Sequence, residues 1–183
     1  MMMKKNGLSL ILLLVFAGSV QAETVFVTLE KDNALAVVDP IEGKLIKTVP
    51  VGQRPRGIAI SPDNKFLYVA TSDDNTIKII DSETLKEVGK LPSGDDPETF
   101  ALNPAGDRLY VSNEDDSMVT AIDIAKKKAI KQIKVGVEPE GIAVSPDNQW
   151  LVSASETTNM VHWIDTKNYA IAENTLVDPR PRA

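Results

Sequence analysis

The sequence predicts an all-β fold of the propeller type, and three observations predict it. The chain repeats itself every 42 residues without a gap, as 23–64, 65–106, 107–148 and an incomplete 149–183. Each full unit holds four short runs of strand character separated by turn residues. Nothing in the body carries a helical period. Tandem four-stranded units of about 40–45 residues are propeller blades. Several columns fix the register: Asp39, Asp81, Asp123 and Asp165; Pro55, Pro97, Pro139 and Pro181; Asn64, Gly106 and Asn148; and the polar turn column Asn33, Asn75, Ser117 and Asn159.

The N-terminal 22 residues stand apart. Lys4 and Lys5, an apolar run from Leu8 to Phe16 and the small-residue end Val20-Gln21-Ala22 read as a cleaved signal peptide over 1–22. The domain is then 23–183. The apolar run is too short to span a bilayer comfortably.

Within a unit, residues 57–94 give the order of elements. Gly57 to Ile60 is a short apolar strand. Ser61-Pro62-Asp63-Asn64 is a tight turn, with Pro presetting φ and Asn64 suited to the left-handed position that Gly106 fills one unit later. Phe66 to Ala70 is a second strand, rich in aromatic and β-branched types. The polar turn Ser72 to Asn75 leads to a third strand, Thr76 to Ile80. The turn Asp81 to Thr84 leads to a loosely alternating fourth, Glu87 to Leu91. The first strand is the most apolar and is expected innermost, along the channel, with the fourth at the outer edge.

On this reading the chain supplies a three-strand set (Val25 to Val51), three four-stranded blades, and the start of another at Arg180-Pro181-Arg182. That is a partial ring of about four blades. A seven-bladed ring at this period needs about 294 residues, so the expectation is a chain truncated from a seven-bladed propeller.

Composition narrows the function. Without residues 1–22 there are 18 basic and 26 acidic residues, a net charge of −8. That argues against a nucleic-acid partner, whose phosphates require a basic face. With no Cys, an exported chain holds together by burial alone. The Lys-Lys segment and acidic body suggest the periplasm of a bacterium.

Specific strings carry a resemblance. Tyr68-Val69-Ala70-Thr71 and Tyr110-Val111-Ser112-Asn113 resemble the motif of YVTN-repeat β-propellers. With the stretches 96–102, 111–116, 135–141 and 155–160, the chain from about residue 23 onward resembles the PQQ-dependent catabolism-associated β-propeller proteins. The resemblance implies a periplasmic accessory, not an enzyme, of quinoprotein alcohol oxidation. Its implied partners are a quinoprotein dehydrogenase, a cytochrome or a transporter component. It brings no catalytic residue set and no resident cofactor. The fourth unit departs from the motif with Leu151-Val152-Ser153-Ala154. Two alternatives stand beside it: a lactonase-like or quinone-linked oxidoreductase on the same fold, and a truncated chain without independent function.

The candidate binding residues lie around the proline column. The residue after each Pro is Arg56, Glu98, Glu140 or Arg182, and these are expected to point at the channel mouth. Arg54 and Arg180 add to the basic pair, and Asp95, Asp96 and Glu138 to the acidic one. A constant column with variable charge suggests a recognition surface; the plainer reading is solvated loop. The acidic turns Asp73-Asp74-Asn75, Glu114-Asp115-Asp116 and Glu156-Thr157 lack the spacing of a Ca²⁺ loop and read as turn formers, so no metal site is expected. The Asp column reads as backbone-bonding turns rather than catalytic carboxylates. His162, the sole histidine, reads as packed or surface rather than as a base, and Trp150 and Trp163 as core. There is no Cys nucleophile and no Gly-rich phosphate loop.

Overall fold

A computed structural model describes residues 24–182, so the segment 1–22 read as a signal peptide lies outside the described residues. The first sheet has three strands: β1 (Val25–Leu29), β2 (Ala34–Asp39) and β3 (Lys44–Pro50). The second contains β4 (Pro55–Ile60), β5 (Phe66–Thr71), β6 (Thr76–Asp81) and β7 (Glu87–Pro92). The third contains β8 (Pro97–Leu102), β9 (Arg108–Asn113), β10 (Met118–Asp123) and β11 (Lys128–Lys134). The fourth contains β12 (Pro139–Val144), β13 (Trp150–Ser155), β14 (Met160–Asp165) and β15 (Ile171–Leu176). Every pairing is antiparallel between sequence neighbours. These are blades, and β4, β8 and β12 stand side by side as the expected inner strands.

Each inner strand begins at the Pro itself, two residues before the start that the sequence suggested at Gly57. Pro55 sits opposite Thr71, and the register then slips before Ile58 meets Val69. The same slip recurs at Pro97 and Pro139. A second irregularity recurs between the third and fourth strands, at Ile79/Ile80, Ala121/Ile122 and Trp163/Ile164. Repeated bulges bend every blade alike. The drifted fourth unit keeps its full second strand, with Leu151 wholly buried.

The turns follow the residue chemistry. Asn64, Gly106 and Asn148 take φ of 59°, 70° and 56°. Each member of the Asp column accepts backbone N–H groups of its own turn: Asp39 from Ile41 (2.8 Å), Asp81 from Thr84 (2.7 Å), Asp123 from Lys126 (2.9 Å) and Asp165 from Lys167 (2.7 Å). Those donors hold Asp81 and Asp123 below the usual carboxylate range.

The core lies between the sheets. Successive strand residues face opposite ways, so Leu67 and Val69 pack against Leu35 and Phe26 of the first sheet, while Tyr68 and Ala70 pack against Leu109 and Val111 of the third. Tyr110 and Val119 then meet Leu151 and Ile164 of the fourth. Burying each such side chain fully is worth about 1.5–3 kcal/mol.

The outward faces of the two end sheets differ. Val25 and Val27 are each 42% exposed, whereas their repeat equivalents Leu67 and Val69 are buried. On the fourth sheet Trp163 is 38% exposed and stacks edge-on against Trp150, with centroids 6.5 Å apart. The tryptophans are therefore not core, as the sequence suggested. They lie on the one face of the fourth blade that meets no described neighbour.

Leu109→Ala removes a fully buried side chain from the second-to-third sheet interface. It should lower unfolding free energy by about 2–5 kcal/mol. Leu176→Ala, at a position 76% exposed, should change it by less than about 0.5 kcal/mol. Urea titration of both variants checks the contrast.

Candidate functional site

The loops entering the inner strands share one backbone shape. Arg54, Asp96, Glu138 and Arg180 all adopt left-handed φ, between 48° and 62°. This conformation costs a non-glycine residue about 1–2 kcal/mol, and hydrogen bonds hold it. The N–H of Arg54 donates to Asn33 Oδ1 (2.8 Å), that of Asp96 to Asn75 Oδ1 (2.9 Å) and that of Arg180 to Asn159 Oδ1 (3.1 Å). Each Asn belongs to the preceding blade. Ser117 fills this column opposite Glu138. The carbonyls of Arg54, Asp96 and Glu138 accept N–H groups of Ser72, Glu114 and Glu156 in turn.

Two residues upstream of Arg54 and Asp96 the chain passes under the acidic turns. A Cβ on Gly52 would stand 2.7 Å from Thr71 and Asp74, and one on Gly94 2.5 Å from Asp116. Asp74 and Asp116 accept the N–H groups of Gln53 (3.1 Å) and Asp95 (2.7 Å). These two carboxylates are loop clasps. The turns thus bond the incoming loop of their own blade as well as themselves.

This framework presents three columns of side chains at one mouth: 54/96/138/180, 56/98/140/182 and 30/72/114/156. Glu98, wholly buried, lies at the centre of the second-to-third blade junction. Arg54 reaches it at 3.0 Å and Arg56 contacts its other oxygen. Arg54 also reaches Asp96 (3.1 Å), Glu30 (3.5 Å) and Asp73 (3.5 Å), and Arg56 reaches Glu30 (3.1 Å). Burial pushes the Glu98 carboxyl up to about 7, against the pull of Arg56. Both guanidiniums lie above their ordinary value; burial works against that, and the Asp96 and Glu98 carboxylates outweigh it.

A second group adjoins the first. Arg182 contacts Glu156 at 2.7 Å through Nε, and Arg180 contacts the same carboxylate. The Arg182 hydrogen bond holds Glu156 below the usual range. Glu138 accepts a hydrogen bond from Thr157. These residues, with Glu114 and Glu140, line a cavity of about 500 Å³. A larger recess of about 1390 Å³ lies at the other end of the strands, between the first two sheets, and holds none of these charges.

All eight candidates therefore meet around one mouth: Arg54, Arg56, Asp96 and Glu98 in the first group, Glu138, Arg180 and Arg182 in the second, and Glu140 between them. Asp95 does not join. Its carboxylate accepts from Asn75 Nδ2 at 3.0 Å. Glu30 was missed, although its 42-residue equivalents Ser72, Glu114 and Glu156 form a polar column. Glu114 and Glu156, read as turn formers, do close their turns through their carbonyls, and their side chains also belong to the charged network.

One set of carboxylates, Asp96, Glu98 and Glu114, has oxygens within 4.8 Å of one another. Arg54 lies against all three, 4.0 Å from Glu114. Its guanidinium supplies the positive charge there.

His162 is buried in β14. Its Nε2 accepts the Gly136 N–H (2.9 Å) and lies 3.1 Å from Ser155 Oγ, and Nδ1 faces Asn174 Oδ1 at 2.6 Å. The order Ser155–His162–Asn174 has the look of a nucleophile relay. However, Ser155 is wholly buried and the Nε2 lone pair is already engaged. The histidine ties a loop to its blade.

A model of the YNCE-like β-propeller matches residues 67–178, and one of the WD domain G-beta repeat matches 43–81. Among curated protein sequences none matches this chain. Of solved structures, Kuenenia stuttgartiensis hydrazine synthase is similar with a TM-score of 0.78 at 24% identity, over 84% of this chain and 46% of that one. A functionally unknown protein from Desulfotomaculum acetoxidans DSM 771 is similar with a TM-score of 0.64 at 21% identity, over 81% and 51%. At such identities the likeness is one of fold. The chain spans about half the length of each.

The raised Glu98 carboxyl has a consequence for stability. Between about pH 4.5 and 7 the folded chain holds a proton there that the unfolded chain releases, so stability should fall as pH rises through this window. The contribution is on the order of 3 kcal/mol. Glu98→Gln should flatten that part of a melting-temperature profile against pH, and a profile unchanged by the substitution would contradict the assignment.

Proposed function

Because the chain belongs to the YNCE-like β-propeller family, we propose that it is an exported, periplasmic binding module without catalysis of its own, accessory to PQQ-dependent alcohol catabolism. The observation that carries this reading is the mouth. There the backbone takes the same left-handed shape at Arg54, Asp96, Glu138 and Arg180, each held by an Asn bond, a carbonyl bond or both, while the side chains change from Arg to Asp or Glu. A packing need would favour one residue type. Variable charge on a constant frame suits recognition by electrostatic complementarity.

The pathway assignment is supported by the resemblance of stretches 96–102, 111–116, 135–141 and 155–160 to the proteins associated with that catabolism. Catalysis lacks support from the one histidine, which is engaged with Gly136 and Asn174. In this function the loops position charge, and neighbouring blades hold it rigid. A partner with a complementary patch gains association rate more than raw affinity.

The test is affinity capture with the mature chain from periplasmic extract of alcohol-grown cells. A quinoprotein dehydrogenase, a cytochrome or a transporter component should be retained at low salt and lost as ionic strength rises. Retention of none of the three, in extracts that contain them, would reject the reading.

A further inference from the structure

The four guanidiniums of the mouth face eight carboxylates, and their contacts are unevenly shared. Arg54 and Arg56 are committed to Asp96, Glu98 and Glu30 at 3.0–3.1 Å or closer. Arg180 and Arg182 are committed to Glu156. Two carboxylates are left between these groups. Glu114 has its nearest guanidinium nitrogen at 4.0 Å and Glu140 at 3.9 Å. Both line the 500 Å³ cavity.

Glu140 is the telling residue. It is only 8% exposed, and its carboxylate accepts no hydrogen bond among the described residues. The group within hydrogen-bonding reach is another carboxylate, that of Glu156, to which Glu140 can donate only when it holds a proton. The guanidiniums that act on it, Arg182 and Arg56, stay 3.9 Å or farther away, so a closer cation would stabilise the charged form. The fold holds it there firmly: the Glu140 backbone is fixed in β12, and its carbonyl accepts the Thr99 hydroxyl of the neighbouring blade.

We propose that the cavity between Glu114 and Glu140 binds an organic ammonium group, either a small free amine or a lysine side chain of a protein partner. An ammonium supplies three donors to carboxylates that lack them. The cavity is larger than a bare metal ion requires, and the convergent oxygens that could serve a metal, those of Asp96, Glu98 and Glu114, already lie against Arg54. The ammonium site is the free end of the same mouth, and the inference rests on the binding-module reading above.

Titration calorimetry of the mature chain with spermidine, with a lysine-rich peptide and with Ca²⁺ tests this at low and high salt. Spermidine or the peptide should bind saturably. The Glu114→Gln/Glu140→Gln double variant should bind at least about tenfold more weakly, the scale of losing charged hydrogen bonds. Glu83→Gln, on an exposed turn at the other end of the strands, should bind as wild type. Spermidine binding marks a free-amine site, and binding of the peptide alone marks a lysine of a partner. Binding of Ca²⁺ in place of both, or equal binding by the double variant, overturns the proposal. If neither amine binds but affinity capture still retains a pathway component, the ammonium inference fails alone and the binding-module reading stands.

Discussion

The structure depends on a two-sided strand. In β5, Leu67 and Val69 turn toward one neighbouring sheet and Tyr68 and Ala70 toward the other. No blade has a core of its own. Each contributes half of two cores, and the burial that stabilises one sheet is supplied by the next. Because the repeat is gapless at 42 residues, every blade presents the same two faces, and stacking them turns the chain steadily about an axis. This is also why the outward Val25 and Val27 remain half-exposed while Leu67 and Val69 are sealed.

The mouth is built on a weaker but equally regular constraint. A left-handed residue heads each inner strand; an Asn of the blade before it catches Arg54, Asp96 and Arg180, and a turn of its own blade catches Arg54, Asp96 and Glu138. With the backbone fixed in this way, side-chain identity is free to vary without loss of fold. The chain uses that freedom to place Arg54 and Arg56 beside Asp96 and Glu98, so opposite charges meet across the second-to-third blade junction. At the third-to-fourth junction acid meets acid. The cost of burying Glu98 is only partly offset by two guanidiniums, while Glu140 has no comparably close cation. The same loop geometry thus yields one junction with paired charges and one without.

Much of this was legible in the sequence, for identifiable reasons. The Asp column reads correctly because an Asx turn is local, decided by a carboxylate and the N–H groups two or three residues on. The proline column gave the direction of the mouth because Pro fixes where each inner strand can begin. Glu30 escaped because its partner Arg56 lies 26 residues away, in the next blade. Trp163 was misjudged because a large aromatic in a strand is ordinarily covered, and strand patterning does not say which sheet covers it.

What the sequence determined by itself was the blade: its strand order, its turns, and the columns that recur at 42 residues. These are set by period-two alternation and by local hydrogen bonding, which need no distant partner. What the tertiary structure decided was the pairing of charges between blades and the burial of Glu98 and Glu140. Those depend on how far one sheet is rotated against the next. Desolvation and Coulomb attraction act through space, across residues some 26 to 44 apart in the chain.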